Sequence, residues 1–553
     1  MINPVEPKVH KKSWFLFRAL FSRTTLLLIF LIIQISFIYA VFTYLNHTLA
    51  YGFFILLSLT ETFIIVNSRS IGSNLKIAWI VPILAMPVFG GLFYIYYKLQ
   101  GAVYLKNKAI EGEVKKSSGF MRQDINIQRD IAAENNEFSG ISEYLYRTCG
   151  FPAYEGDEIT HYDDGTPFFE SLFSELEKAE HFIFLEYFII SFGTISDRFF
   201  KILKDKAENG VEIYLIYDGT NMVKNLPFSF AQKLNDAGIH TKVFSELKPM
   251  LKSYQNHRDH RKICVIDGKT AFTGGINIAD EYANLELRFG TWKDSGVMIK
   301  GPSVNSFSMI FMQSWNSIYV PASKIKHMHL EECSRLEYGK YYIEHKEEPF
   351  MEESISVFKE AENDKRADMG RRSFLIPYAD SPLDGEKVGE NVYCAIINTA
   401  ARYLYICTPY LILDDEMVQS LCFASKRGVD VKIMLPHIPD KPYAFWLAHA
   451  YYYELIESGV EIYEYMPGFV HTKEFICDDI KGVVGTINLD YRSLYLHFEN
   501  AVFLYNSNAI MDMKKSFMNS LRMCRQITME EYNSYSKVRL FIGRALKIIA
   551  PLF

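Results

Sequence analysis

A chain of 553 residues, 49% hydrophobic and 15% aromatic, is too long for one hydrophobic core, so we expect about two to four domains. Its formal net charge of −6 argues against a nucleic-acid-binding protein, because such proteins usually carry a basic surface. Eight cysteines are scattered without a Cys-x-x-Cys pair, which argues against a structural zinc site and a disulfide framework.

Three apolar stretches open the chain. Residues 24–45 carry no charge and are long enough to cross a bilayer as a helix. Residues 51–67 are shorter and contain Glu61, while residues 77–97 are interrupted by prolines and a Gly-Gly pair. Irregular backbone is costly in lipid, so the third stretch is the best candidate for incomplete spanning. We predict that residues 1–98 form a membrane anchor with two or three apolar helices.

Basic residues flank this apolar region on both sides. Five of them precede residue 24, and a run from Lys98 to Arg122 follows the third stretch. Positive charge favours the cytoplasmic side, so both flanks would lie inside, which three full spans do not allow. Either one stretch is re-entrant or interfacial, or this chain does not follow the preference of positive flanks for the cytoplasmic side. We favour a basic juxtamembrane linker at 99–139 followed by a cytoplasm-facing catalytic region.

Beyond residue 140 the chain divides into two similar halves. A strand-like run at 182–190 corresponds to one at 403–412, and helices and further short strands follow in the same order. This alternation predicts α/β layers around a buried sheet in each half. The predicted segments are a first α/β domain at 140–325, a charged connector at 326–372, a second α/β domain at 373–535 and a basic amphipathic helix at 536–553. Such a helix suits either an anionic lipid surface or the protein body.

One motif occurs once in each half. The spacing His-x-Lys-x4-Asp is given by His260, Lys262 and Asp267 and again by His471, Lys473 and Asp478. On a strand, the His and Lys of one copy share a face, because side chains alternate. The Asp has the opposite parity, so we infer that it braces a loop or the backbone and does not carry protons. Because the motif occurs once in each of two similar halves, a chance match of common surface residues is a poor explanation for it.

Each motif is followed by a small-residue turn that leads to an asparagine. The two turns are Gly274-Gly275-Ile276-Asn277 and Gly485-Thr486-Ile487-Asn488. We expect Asn277 and Asn488 to donate amide hydrogens to a phosphoryl oxygen. With the duplicated His/Lys pair, these residues fit phosphodiester chemistry without a metal. One imidazole attacks phosphorus, the other protonates the leaving oxygen, and the ammonium groups hold the charge. No metal or other cofactor is expected.

A nucleophilic histidine also needs an acceptor on its other ring nitrogen, because that bond fixes the tautomer. The candidates are acids downstream of each motif. Asp294 follows the motif of the first half, and Glu499 follows the motif of the second. We predict that these two carboxylates orient the histidines.

At these residues the chain resembles the phospholipase D superfamily and, within it, the bacterial cardiolipin synthases. The narrower likeness rests on Lys76-Ile77-Ala78-Trp79, Glu186-Tyr187, Thr408-Pro409-Tyr410 and Asn488-Leu489-Asp490-Tyr491-Arg492-Ser493. The resemblance covers nearly the whole chain. The stretch 24–45 differs from the family pattern. The usual anchor has two apolar segments, and this stretch looks like an additional one.

The resemblance implies two pseudo-symmetric α/β sandwich domains that share one active site, preceded by N-terminal transmembrane helices in a bacterial cell membrane. It implies that the enzyme joins two phosphatidylglycerols into cardiolipin and releases glycerol through a covalent phosphatidyl-histidine. His260 is our choice of nucleophile and His471 of acid and base, although pseudo-symmetry leaves the assignment open in the sequence. Phosphatidylglycerol and anionic membrane lipid are the expected partners, and nucleic acid is not.

Other functions use the same residues. A membrane-bound phospholipase D would pass the phosphatidyl group to water, and another phosphatidyltransferase would pass it to serine or ethanolamine. A nuclease of the superfamily is disfavoured by the acidic net charge and the apolar segments. A non-catalytic membrane scaffold is disfavoured because both copies of the motif keep the His and the Lys.

Overall fold

The computed structural model describes residues 47–68, 72–98, 102–246, 256–318, 335–343 and 372–552, with six single positions between 32 and 43. Most of the apolar stretch 24–45 and most of the charged connector lie outside these residues. The chain divides into an N-terminal helical unit, which ends at Val103, and a larger unit that contains both α/β halves. The two units are described separately.

The N-terminal unit consists of helices α1 (His47–Asn67), α2 (Ser73–Ala85) and α3 (Pro87–Lys98). The break predicted in residues 77–97 lies at Met86, between α2 and α3. Trp79 of α2 packs edge-on against Tyr94 of α3 at 5.3 Å, so the two helices fold against each other. Across the described ranges we find no helix with the length and apolar character needed to cross a membrane.

Three helices open the larger unit: α4 (Ala102–Ser117), α5 (Ile125–Glu134) and α6 (Asn136–Arg147). They occupy most of the segment 99–139 that the sequence analysis treats as a linker. Ile131 and Phe138 are fully buried, and the Phe138 ring stacks on Tyr505 at 4.2 Å. The segment therefore belongs to the hydrophobic core of this unit, because its apolar residues recur at helical spacing on one face.

The first half supplies a seven-stranded sheet and the helices around it. Its elements are β1 (Tyr154–Glu155), β2 (Glu158–Tyr162), α7 (Gly165–Glu177), β3 (Phe182–Tyr187), α8 (Thr194–Glu208), β4 (Glu212–Asp218), α9 (Asn221–Lys224), α10 (Phe230–Asn235), β5 (Ile239–Phe244), β6 (Arg258–Asp259), β7 (Lys262–Ile266), β8 (Thr270–Gly274), β9 (Thr291–Lys293), β10 (Gly296–Lys300) and α11 (Val304–Ser317). The sheet order is β2-β10-β8-β7-β3-β4-β5. Strands β3, β4 and β5 run parallel, and the other neighbours are antiparallel.

The second half repeats this arrangement. Its elements are β11 (Phe374–Asp380), α12 (Val388–Thr399), β12 (Tyr403–Cys407), α13 (Asp415–Lys426), β13 (Asp430–Pro436), α14 (Pro442–Glu457), β14 (Glu461–Tyr465), β15 (Gly468–Val470), β16 (Glu474–Cys477), β17 (Lys481–Gly485), α15 (Tyr491–Tyr495), β18 (His497–Tyr505), α16 (Asn508–Leu521), β19 (Cys524–Ile527), α17 (Met529–Ser534) and α18 (Lys537–Ile549). The order β11-β18-β17-β16-β12-β13-β14 matches the first sheet strand for strand, with β1 and β19 added at its edges. The duplication predicted from the sequence is thus a duplicated sheet topology.

Two short parallel ladders join the halves. Strand β6 pairs with the start of β18, and β9 pairs with β15. The ladders continue as backbone hydrogen bonds. The His260 amide donates to the carbonyl of Phe498 over 2.9 Å, and the His471 amide donates to the carbonyl of Lys293 over 2.7 Å. Each motif histidine is thereby fixed to a strand of the opposite half.

Two segments outside the sheets also pack on this unit. Tyr338 and Tyr341, from the region predicted to be a solvated connector, are buried in the main core. At the C-terminus, α18 lies across α14, where the Lys547 ammonium sits 4.4 Å from the centroid of the Tyr451 ring. Gly543 allows this close approach, because a Cβ there would lie 2.2 Å from the Trp446 carbonyl oxygen.

Candidate active site

The two motif histidines are each hydrogen-bonded to a buried carboxylate of the other half. His260 Nδ1 lies 2.9 Å from an oxygen of Glu499, and His471 Nδ1 lies 2.6 Å from an oxygen of Asp294. Both carboxylates are fully buried. From its position in the sequence, each acid is expected to orient the histidine of the motif upstream of it, whereas in the structure the pairing is exchanged between the halves. The parallel ladders cause the exchange, because their register places Glu499 opposite His260 and Asp294 opposite His471.

Local contacts hold the two carboxylates in position. Glu499 accepts a hydrogen bond from the Thr486 hydroxyl, and Asp294 accepts one from the amide of Ser295 at 2.9 Å. Gly275 leaves room for Asp294, because a Cβ there would lie 2.0 Å from its carboxylate oxygen. The small-residue turns behind the motifs are therefore needed to seat the acids, and with them the histidine rings.

The two motif lysines are buried beside the histidines. Lys262 Nζ donates to the carbonyl of His260 over 2.6 Å, and Lys473 Nζ donates in the same way to the carbonyl of His471. Burial lowers the pKa of Lys262 to about 7 and that of Lys473 to about 8, while the Glu499 and Asp294 carboxylates oppose the shift. The site therefore holds cationic groups that are poorly solvated and available to an anion.

Burial also lowers the pKa of both imidazoles, which favours their neutral forms when no substrate is bound. It lowers the pKa of His260 well below its ordinary value, and the charges of Lys262 and Lys473 add to this effect. The pKa of His471 falls to about 4, through burial and Lys473, against the opposing influence of Asp294. Because the charge of Lys473 acts on His260, the residues of both motifs belong to one electrostatic environment.

The motif aspartates lie away from the imidazoles and brace the backbone. Asp267 accepts hydrogen bonds from three consecutive amides that lead into β3, at 2.7–2.8 Å. Asp478 accepts three equivalent bonds at the start of β12, at 2.7–2.8 Å. Both residues have positive φ, at 52° and 57°. The parity argument from the sequence places them in this bracing position.

The two asparagines differ in their surroundings. The Asn277 side chain accepts from the Ile189 amide at 2.9 Å and donates to the Tyr282 hydroxyl at 2.7 Å. It therefore braces the loop after β3, a role that the sequence analysis does not foresee. The Asn488 amide makes a 3.3 Å contact with Asp490, and its oxygen has no partner among the described residues. Phosphate binding by these side chains stays a prediction.

Further side chains that the sequence analysis did not select border the histidines. The His497 ring lies 5.5 Å from that of His260, and the Trp292 ring lies 5.2 Å from that of His471. Each precedes an orienting acid by two residues, so strand alternation from Asp294 and Glu499 would have found both. Burial lowers the pKa of His497 to about 3. Lys441, at the start of α14, adds to the positive charge that acts on His260. Unlike His497 and Trp292, it could not have been identified from its spacing to a motif or to an orienting acid.

Comparisons with known proteins agree with this geometry. The family model described as "Cardiolipin synthase, PLD-like domain" matches residues 172–315 and 393–521, and the model "Phospholipase_D-nuclease N-terminal" matches residues 53–96. A cardiolipin synthase of Alkalihalophilus pseudofirmus is 30% identical over 86% of this chain and 88% of its own length. An uncharacterized protein of Streptococcus mutans serotype c is 42% identical over 86% of this chain and 96% of its own.

The chain belongs to the cardiolipin synthase family of the phospholipase D superfamily. It is a phosphatidyltransferase with the α/β fold of that superfamily in two repeated domains. The crystal structure of a phosphatidylserine synthase from Haemophilus influenzae shares this fold, with a TM-score of 0.50 and 14% identity, over 71% of this chain and 95% of that one.

Replacing either orienting acid by its amide, Asp294→Asn or Glu499→Gln, should lower kcat for phosphatidyl transfer about 100-fold or more. The amide preserves the shape but can present its NH2 to Nδ1 and favour the wrong histidine tautomer. A matched control is Asp380→Asn, because Asp380 is also buried, lies opposite Glu499 in the sheet and accepts a hydrogen bond from the Gly389 amide of its own half. Near-normal kcat in both amide variants, with unfolding temperatures unchanged, would contradict the orienting role.

The lowered lysine pKa values predict a pH dependence. Lys262 and Lys473 lose their protons as pH rises through about 7 to 8, so the free enzyme loses positive charge in that range. We expect kcat/KM to fall as pH increases from 7 to 9, since the phosphodiester of the substrate stays anionic throughout. A bound phosphate raises both pKa values, so kcat should fall at a higher pH than kcat/KM. A kcat/KM that stays flat to pH 10 would be inconsistent with lysines of lowered pKa.

Proposed function

We propose that this enzyme is a cardiolipin synthase, which transfers the phosphatidyl group of one phosphatidylglycerol to a hydroxyl of another and releases glycerol. The observation that carries the proposal is the crossed pair of histidine–carboxylate units, flanked by two buried lysines, in a member of this family. Such a site has one base or nucleophile and one acid on opposite halves, together with cationic groups for a phosphoryl anion.

In the first step, Nε2 of His260 attacks the phosphorus of the first lipid. The Nδ1 contact with Glu499 supports this role, because a ring that donates from Nδ1 keeps its lone pair at Nε2. As the N–P bond forms, the P–O bond to glycerol breaks, and His471, which takes up a proton at Nε2 when the anionic substrate binds, transfers that proton to the departing oxygen. Lys262 and Lys473 stabilise the charge on the phosphoryl oxygens.

In the second step, a hydroxyl of the second phosphatidylglycerol attacks the phosphorus of the phosphatidyl-histidine. His471, now neutral, accepts the hydroxyl proton as the O–P bond forms, and the N–P bond to His260 breaks. Both histidines return to their starting protonation states, so the cycle is balanced. A water molecule could follow the same path, which makes the choice of acceptor the difference between a synthase and a hydrolase.

Electrostatics support His260 as the nucleophile. Two lysines of the site, Lys262 and Lys473, together with Lys441, lower its pKa, which favours a neutral ring with a free lone pair. His471 has the shorter bond to its carboxylate, and Asp294 raises its pKa against the effect of burial. An incoming phosphate anion would raise the pKa of His471 further, as the acid role requires.

Phospholipid substrates require contact with a membrane, and α18 carries a surface suited to it. Val538, Phe541 and Ile548 lie on one face of this helix and are exposed, with Phe541 72% exposed. Lys537 and Arg544 are also exposed and lie beside this face. We infer that the exposed face of α18 rests on the surface of an anionic bilayer. Multi-pass anchoring and a cytoplasm-facing catalytic region stay predictions from the sequence.

The product assay tests the proposed reaction. Purified full-length protein, reconstituted with phosphatidylglycerol, should release glycerol and form cardiolipin in equal amounts. His260→Ala and His471→Ala should each reduce turnover about 10⁴-fold or more. A histidine-linked phosphatidyl adduct should accumulate in His471→Ala and map to His260. Phosphatidic acid without cardiolipin would show a hydrolase, and transfer only to added serine or ethanolamine would show a different phosphatidyltransferase.

A second experiment tests the lipid-facing surface of α18. Phe541→Ser together with Val538→Ser should raise the apparent KM for phosphatidylglycerol in proteoliposomes about tenfold or more, because less apolar area enters the bilayer. The kcat at saturating lipid should not change. The control is Phe228→Ser, which removes a ring of similar exposure, 64%, from the first half. Equal KM values for the α18 and control variants would rule out this contact.

A further inference from the structure

A third histidine lies against the His260–Glu499 pair. His497 begins β18, two residues before Glu499, and its Nδ1 is 3.7 Å from the second carboxylate oxygen, beyond hydrogen-bond length. Its ring centroid is 5.5 Å from that of His260. The two-step mechanism assigns no role to this residue.

Several polar atoms of this group have no partner. His497 is only 8% exposed, yet neither of its ring nitrogens has a hydrogen-bond partner among the described residues. The Oε1 atom of Glu499, which is fully buried, has none either. Unpaired buried nitrogen and carboxylate atoms are costly, and Nδ1 of His497 lies 3.7 Å from the unpaired Oε1 of Glu499, so a ligand that contacts both atoms would satisfy them.

The spacing of these atoms matches a transition-metal site. One ligand atom each from His260, His497 and Glu499 lie within 4.8 Å of one another. Bonds of 2.0–2.2 Å in a tetrahedral site put ligand atoms about 3.3–3.6 Å apart. The Glu499 carboxylate reaches both rings near that separation through different oxygens, Oε2 at 2.9 Å from His260 Nδ1 and Oε1 at 3.7 Å from His497 Nδ1. Two imidazoles and a carboxylate are a ligand set that zinc uses, with the fourth position open.

We propose that His260, His497 and Glu499 form an inhibitory site for a divalent transition metal of the zinc class. The inference rests on the proposed function for its inhibitory effect, while the binding itself does not depend on it. The nearby ammoniums of Lys262 and Lys473 repel a cation, so we expect weaker binding than at a structural zinc site, as suits a regulatory site rather than a permanent metal centre.

The chemical consequence follows from the tautomer of His260. In the resting site Nδ1 faces Glu499 and Nε2 keeps the lone pair that attacks phosphorus. A metal bound at Nδ1 takes the lone pair of that nitrogen, so the ring proton moves to Nε2 and no proton is lost from the ring. Nε2 can then no longer act as a nucleophile. Metal binding thus blocks the first step without occupying the phosphate position.

The surroundings of His471 do not provide the same three ligands. The position equivalent to His497 is held by Trp292, whose indole nitrogen has no lone pair for a metal. A second group of this kind, His437 and His449 around Glu464, is closed to a cation by Arg525, which lies 3.3 Å from the same carboxylate. His437→Gln therefore serves as the matched control variant.

The test measures metal binding and inhibition separately on the full-length protein in detergent. We expect one Zn²⁺ per chain by equilibrium dialysis, and a tetrahedral Co²⁺ absorption spectrum. His497→Phe keeps a ring but removes both nitrogens, so it should weaken Zn²⁺ binding and raise the zinc inhibition constant at least tenfold. The inhibition constant is compared with the metal-free rate of the same variant. His437→Gln should bind and be inhibited like the wild type, and Mg²⁺ should have no effect.

Each result has a distinct meaning. The proposal fails if the wild type binds no Zn²⁺ up to about 1 mM, or if His497→Phe binds it as tightly as the wild type. Binding that depends on His497 but leaves the rate unchanged would keep the site and remove the inhibitory role. If no cardiolipin forms at all, the dialysis and Co²⁺ measurements still decide whether the site exists.

Discussion

The arrangement of the larger unit depends on two parallel ladders that cross between its halves. Each ladder is only two or three residues long, and each ends where a histidine of one half meets a carboxylate of the other. Neither half contains both a motif histidine and the carboxylate bonded to it. The two halves therefore contribute jointly to the candidate active site, and its histidine–carboxylate pairs form only when both halves are folded and docked. The continuous core beneath the two sheets is what keeps this register fixed.

Burial of charge gives the site its reactivity. Two carboxylates and two lysines in a volume with little water would be costly if any of them lacked a partner, so each carboxylate is held by a histidine and each lysine by a backbone carbonyl. The same desolvation lowers the pKa of the lysines and histidines. An entering phosphodiester brings the negative charge that this arrangement lacks, so binding and activation of the site are coupled.

Much of this could be predicted from the sequence, because local patterns determine it. Spacing and parity separate the His and Lys side chains from the bracing aspartates, and the repeat predicts a duplicated α/β topology. The exchange of Asp294 and Glu499 between the halves could not be predicted, since it depends on how two distant strands align in space. The helices at 99–139 were treated as a linker because their many charges mask one apolar face, and Phe138 shows that this face is buried.

The two halves differ in the backbone and side chains next to their motif histidines. The first sheet interrupts its strand at Asp294, between β9 and β10, whereas β18 runs unbroken through Glu499. His471 thereby faces Trp292 in an aromatic environment, while His260 faces a second imidazole. Two identical histidines in a symmetric site titrate as a coupled pair, so one can hold a proton while the other is neutral, but either ring could then take either role. Differences in the neighbours of each ring therefore favour one assignment of the two roles in the proposed mechanism, and the duplicated sequence supplies these differences at residues outside the motif.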